Sequence, residues 1–279
     1  MMVLLALLSV AAKPTPDAGT LFSRPAQITA SHFQVLNKDL KLEYTRDVKV
    51  VRDTLTMTCD RLIVEYGADH EVTRMLARGN VEAVDQGRWA RGDEADYDNN
   101  TGVLVIRGNP QARQGKREVT GDLVTFVNGS EQVVVTKAKT RVENQLDGGA
   151  VDKIAIDADS LLLDDRQSLA TWTGHVKAKR ADTTMVAPKM TATYDDQGAI
   201  TRIEGMGGVE ATQGNKWAKG QHADYDAQRG VLVVTGNPEA RQDRNRMRGT
   251  KVIFYQGSDL LEVENVTSII EVEKKQKKK

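Results

Sequence analysis

Gly92-Asp93-Glu94-Ala95-Asp96-Tyr97-Asp98 leads through Asn99-Asn100-Thr101 into Gly102-Val103-Leu104-Val105-Ile106-Arg107-Gly108-Asn109-Pro110. In the first run Ala95 and Tyr97 alternate with Asp96 and Asp98, a period of two that sends apolar and polar side chains to opposite faces. The second run is aliphatic and ends in Gly-Asn-Pro. Asn-Asn-Thr-Gly between them is turn chemistry, and Pro110 suits a strand edge or a bulge. The stretch reads as two strands and a turn.

The same words return 128 positions later. Ala95-Asp96-Tyr97-Asp98 recurs as Ala223-Asp224-Tyr225-Asp226, and Gly102-Val103-Leu104-Val105 as Gly230-Val231-Leu232-Val233. Gly108-Asn109-Pro110 becomes Gly236-Asn237-Pro238. Further out Met57 meets Met185, Tyr66 meets Tyr194, Trp89 meets Trp217, Gly121 meets Gly249 and Phe126 meets Phe254, without a gap. Self-similarity at a fixed offset marks a duplication. It predicts two units, residues 26–144 and 154–272, joined by the turn-prone Gln145-Leu146-Asp147-Gly148-Gly149-Ala150.

Each unit also repeats internally at about thirty residues. Ser31-His32-Phe33, Asp60-Arg61-Leu62, Asp93-Glu94-Ala95 and Asp122-Leu123-Val124 each open a run with a polar residue followed by alternating apolar ones. One parity carries Phe33, Val35, Leu62, Val64, Ala95, Tyr97, Val124 and Phe126. Leu161, Leu163, Met190, Ala192, Ala223, Tyr225, Val252 and Phe254 take the matching places in the second unit. The opposite parity carries Gln34, Arg61, Glu65, Asp96, Asp98 and Thr125. No stretch shows sustained helical periodicity, so the fold class is all-β. A sheet with one apolar face must pack it on another sheet or on a ligand.

Composition narrows the function. The 279 residues hold 39 Lys+Arg against 39 Asp+Glu, a formal net charge of zero that argues against nucleic-acid binding through phosphate neutralisation. Cys59 is the only cysteine, and His32, His70, His175 and His222 follow no ligand spacing, so no metal or cofactor is expected. Asp93-Glu94-Ala95-Asp96 spells a helicase box, but no phosphate-binding loop accompanies it and its second copy reads Gln221-His222-Ala223-Asp224. The carboxylates fall mostly on the wet parity or in turns, where a solvated face is the ordinary explanation, so catalysis is not expected. Met1 to Ala12 is an apolar run ending in small residues, too short to cross a bilayer but suited to a signal peptide, although no basic segment precedes it.

The Gly92–Asp98 and Gly102–Pro110 segments, with Gly121-Asp122-Leu123-Val124-Thr125-Phe126 after them, resemble the recurrent element of the organic-solvent-tolerance, or LptA-like, domain of lipopolysaccharide-transport proteins. The resemblance runs through nearly all the chain after the leader, once per unit. It implies a twisted, V-shaped β-jellyroll of two antiparallel sheets, here duplicated into one elongated trough. It further implies a periplasmic location and lipopolysaccharide or a related glycolipid as the cargo. The implied partners are an inner-membrane adaptor and an outer-membrane translocon that carry related domains, with head-to-tail self-association as a further expectation.

On that footing Phe33, Val35, Leu62, Val64, Tyr97, Val124 and Phe126 of the first unit are the expected lipid-binding residues. Leu161, Leu163, Met190, Tyr225, Val252 and Phe254 are their counterparts in the second. Few aromatics and many small interior residues are expected to leave room for acyl chains. The free edges are expected near Ala26–Val35 and Leu260–Val272. Trp89 and Trp217 either flank an entrance or simply pack. The lysines of residues 273–279 form a basic tail, either solubilising or attracted to anionic headgroups. Two other readings remain: a β-scaffold that binds nothing, and a membrane-tethered adaptor of the same pathway.

Overall fold

The computed structural model describes residues 26–127, 132–145, 151–196 and 198–269, so the leader and the basic tail lie outside the described residues. The first unit contributes β1 (Gln27–Thr29), β2 (His32–Leu36), β3 (Lys41–Arg52), β4 (Leu55–Tyr66), β5 (Val72–Asp85) and β6 (Arg88–Asp98). It continues with β7 (Val103–Arg107), β8 (Gln111–Gln114), β9 (Arg117–Thr120), β10 (Leu123–Val127), β11 (Gln132–Thr136) and β12 (Lys139–Gln145). The second contributes β13 (Val151–Asp157), β14 (Ser160–Asp164), β15 (Leu169–Arg180), β16 (Thr183–Tyr194), β17 (Ile200–Gln213) and β18 (Lys216–Asp226). It closes with β19 (Val231–Thr235), β20 (Glu239–Gln242), β21 (Asn245–Arg248), β22 (Lys251–Tyr255), β23 (Leu261–Glu264) and β24 (Thr267–Ile269). Among the described residues the only helix is a single 3-10 turn, Asn37–Asp39.

Every pairing is antiparallel, and together they define two ribbons. The first runs β2-β3-β4-β5-β6-β7-β10-β11-β14-β15-β16-β17-β18-β19-β22-β23. The second runs β1-β3-β4-β5-β6-β8-β9-β12-β13-β15-β16-β17-β18-β20-β21-β24. Long strands β3–β6 and β15–β18 serve both ribbons by bending in the middle. At the junction β11 pairs with β14 and β12 with β13, so both ribbons continue from one unit into the next.

The bends are built into the sequence. Residues Arg46-Asp47, Gly79-Asn80, Gly174-His175 and Gly207-Gly208 all have positive φ and fall where the pairing register slips, the signature of a bulge that turns a strand. Gly108-Asn109 and Gly236-Asn237 repeat the geometry between short strands. Opposite them stand the polar residues that open each thirty-residue repeat. Asn80 Nδ2 donates to Asp60 Oδ2 at 2.8 Å, the Asp93 amide to Gly108 O at 3.1 Å, and His175 Nδ1 lies 2.7 Å from Asp159 Oδ2. The internal repeat of the sequence is the spine along which the two ribbons meet.

The ribbons pack face to face. Leu62, Val135, Leu161, Met190 and Val252 of the first are wholly buried against Ile156, Val176, Ala211 and Ala218 of the second. Trp172 Nε1 donates to Thr140 Oγ1 across this interface at 3.0 Å, satisfying two buried polar groups at once. The fold is the all-β, two-sheet jellyroll expected, given twice. Ala77, Ala95, Ala170, Ala192, Ala211, Ala218 and Ala223 are buried between the sheets and let them approach closely.

Candidate functional site

On the first ribbon two neighbouring inward rows cross every strand. One runs Phe33, Tyr44, Leu62, Ala77, Ala95, Ile106, Val124 and Val135, then through the junction into Leu161, Trp172, Met190, Gly205, Ala223, Val234, Val252 and Val263. The other includes Val35, Val64, Tyr97, Phe126, Leu163, Tyr225 and Phe254. All thirteen residues proposed from sequence lie on these two rows. Nine are buried, and Phe126 and Leu163 are partly so. Phe33 and Val35 are a correction: they share the rows but stay 47% and 51% exposed, because β2 is an edge strand with β3 on one side only. Phe33 leans on the Tyr44 ring, centroids 4.8 Å apart.

The second ribbon's inward face was missed. On β4 and β6 the inward parity reverses at the corner residues Asp60 and Asp93, so Met57 and Cys59 face inward below the corner while Leu62 and Val64 do so above it. A parity carried straight along those strands assigns the wrong face. Cys59 is buried there, and burial pushes its thiol up to about 11, which keeps it protonated and inert at neutral pH.

Opposite the spine, strand tips of the two ribbons meet across the mouth of the V at the unit junction and in the second unit. On the second ribbon the last inward row beside the turns carries Arg52, Arg88, Arg117, Arg180 and Lys216. Several reach across. Arg88 Nη2 and Arg117 Nη2 lie 3.5 and 3.6 Å from the two oxygens of Asp165, in the β14–β15 turn of the first ribbon. The Arg117 guanidinium also sits 4.1 Å from the centroid of Tyr194, whose hydroxyl donates to Asp165 Oδ1 at 2.9 Å. Burial pushes the Tyr194 phenol upward. Arg180 lies 5.1 Å from the Tyr225 ring, and Lys216 Nζ donates to Ser258 O at 2.7 Å. Sequence carried a signal for this row, cations beside turns at matched offsets (Arg52 with Arg180, Arg88 with Lys216), but their facing depends on the reversed parity.

Just inside this mouth lies a cavity of about 40 Å³ between Ile154, Ala178 and Met185 on one ribbon and Ile203, Leu232 and Phe254 on the other. It is large enough for a few waters. Trp89 and Trp217 face outward near the tips of the second ribbon. Trp89 donates to Glu82 Oε1 at 2.7 Å between Arg91 and Arg113, and Arg241 sits 4.9 Å from Trp217. Among the described residues no group of three or more His, Cys, Asp or Glu is arranged to hold a metal.

Two facing ribbons on a largely apolar interior, with unpaired sheet edges at both ends of the described residues, define an elongated β-jellyroll. A family model described as LptA/(LptD N-terminal domain) LPS transport protein matches residues 27–141 and again 155–259, and the chain belongs to that family, with two copies of its domain. The family works in transport and not in catalysis. Among solved structures the chain is similar to LptH, the LptA-homologous periplasmic component of the conserved lipopolysaccharide transport device from Pseudomonas aeruginosa. Identity is 19%, the match covers 43% of this chain and 95% of that one, and the TM-score is 0.39. A search of curated proteins returned no match.

Proposed function

We propose that this protein carries the acyl part of a lipopolysaccharide-type glycolipid between its two ribbons in the periplasm, with the sugars outside the mouth. The observation that carries the reading is the pair of apolar rows, which cross the junction of the two units without a polar residue. Each buried CH₂ is worth about 0.8 kcal/mol, and contacts of this kind are non-directional, so a chain can slide along the rows without a fixed binding step. Loading requires the ribbons to part at the mouth, because the sheets approach closely. Proteins with related domains dock at the free edges, β1 and β2 at one end and β23 and β24 at the other. The β11–β14 and β12–β13 pairings are the template for such a joint. The inner-membrane adaptor and outer-membrane translocon of the pathway are the partners this arrangement suits.

The test places a photo-crosslinking residue at Tyr97, Phe126, Tyr225 or Phe254 and looks for lipid adducts after extraction from cells. Adducts are expected at these positions and not at Asp96 or Thr125, one residue away on the outer face. The close approach of the sheets supports a second reading, a β-scaffold that binds nothing, and equal or absent labelling at both parities would select it.

A further inference from the structure

Resting on that reading, we propose that the cations of the second ribbon's inward rim form a track of phosphate-binding stations along the mouth, meeting the anionic headgroup of a lipid whose chains lie inside. Arg88, Arg117, Arg180 and Lys216 occupy one continuous row, with Arg52 at its start. They are separated by two or three strands each, roughly 10–15 Å at the usual strand spacing. An inward-facing rim position is an expensive place for charge. Arg117 is 12% exposed and Lys216 3% exposed, at the border between an apolar interior and water.

The present partners of Arg117 and Lys216 are poor ones. Nε and Nη1 of Arg117 are shielded from solvent without a hydrogen-bond acceptor, while Nη2 makes a 3.2 Å bond to Gln114 Oε1 and a 3.6 Å contact with Asp165, and the Tyr194 ring lies 4.1 Å from the guanidinium. Lys216 is held by an amide oxygen and two main-chain carbonyls, at 3.4, 2.7 and 3.4 Å, and none of these oxygens carries a charge. Asp165 is the acidic group shared by Arg88 and Arg117 across the mouth, and Asp85 is the acidic member of the row itself. When the ribbons part, Arg88, Arg117, Arg180 and Lys216 lose their cross-mouth contacts. A phosphate replaces such a contact with a full charge and several acceptor oxygens, which offsets the cost of opening at the place where the headgroup must lie. Chains inside and phosphate at the rim fix which way round the lipid rides.

The experiment compares binding of the full chain to detergent-dispersed lipid A and to the same lipid after removal of its phosphates, with inorganic phosphate alone as a third probe. The expected result is a preference of about tenfold for the phosphorylated lipid, the worth of a single charge-assisted contact. That preference should fall with salt and disappear in the Arg88→Gln, Arg117→Gln, Arg180→Gln, Lys216→Gln variant, while binding of the dephosphorylated lipid stays intact. Inorganic phosphate at millimolar concentration should not bind, since no acyl chain holds the mouth apart. Arg117→Gln and Lys216→Gln alone, each checked for folding by circular dichroism, give the same comparison should the fourfold variant not fold. Outer-face Arg113→Gln is the control. Equal binding of both lipids by the unaltered chain, or a preference that survives the substitutions, would overturn the track and leave the lipid carrier standing. No binding of either lipid would remove both.

Discussion

Arg74 and Asp96 face the solvent from neighbouring strands and join through two hydrogen bonds, 2.8 and 2.6 Å, a contact repeated by Arg202 and Asp224 in the second unit. The Arg74 guanidinium beside it, with help from Arg107, holds the Asp96 carboxyl below the usual carboxylate range. A depressed folded value means stability that is present above the unfolded pKa, near 4, and lost as pH falls through the folded one. Solvent screening keeps the contribution under about 1 kcal/mol. Asp96→Asn is therefore expected to lower the thermal midpoint slightly at pH 6, with the gap from the unaltered chain closing by pH 3. A gap that widens on acidification would show the sign to be wrong. At this scale sequence was a good guide to polarity: Asp96 and Thr125 fell outside, Tyr97 and Val124 inside. It failed for Arg117 and Lys216, because nothing in a run of alternating residues reveals which side of a bend the alternation has been reset on.

The corner is the element that decides this architecture. Gly108 has a φ of +74°, and a Cβ there would run into the Asp93 side chain on the partner strand. Gly108→Ala is expected to cost about 1–3 kcal/mol, read as a shift in the denaturant midpoint. Gly87→Ala is the comparison, at a φ of +80° with nothing within 4 Å, and should cost less. An equal loss at both would mean that left-handed backbone strain, and not the close approach of the partner strand, accounts for the effect. The thirty-residue repeat is legible in the chain itself, since Asp60, Asp93 and Asp122 each open a run of alternating residues. Their role is not, because a bulge shows only in the register between two strands. The same blindness hides the second ribbon: Met57 and Val119 look like members of the wet parity until the corner is known. Gap-free repetition at 128 residues, by contrast, makes the twofold architecture plain from Tyr97 and Tyr225 alone.

At the scale of the whole molecule, the described residues leave apolar side chains uncovered at both ends of the ribbons. Phe33, Val35 and Leu40 are exposed at the β1–β2 edge, and Leu260, Val266 and Ile269 at the β23–β24 edge. Exposed apolar side chains beside unpaired backbone invite strand addition. Sedimentation of the chain is expected to show end-to-end association that rises with concentration and is weakened by Val35→Lys or Ile269→Lys. An unchanged monomer at all concentrations would assign these edges to other proteins. The joint between the two units needs no such encounter, being closed by the short connection between β12 and β13. Neighbours in space are also neighbours in sequence throughout, the widest step being that from β11 to β14. A chain wired in this way is close to a one-dimensional array, in which each strand answers mainly to the ones beside it. Order can begin at any corner and spread both ways, and it is lost first from the outermost strands. The ends proposed to pair with other chains are then the parts that unravel most readily, while the covalent middle holds the register for both.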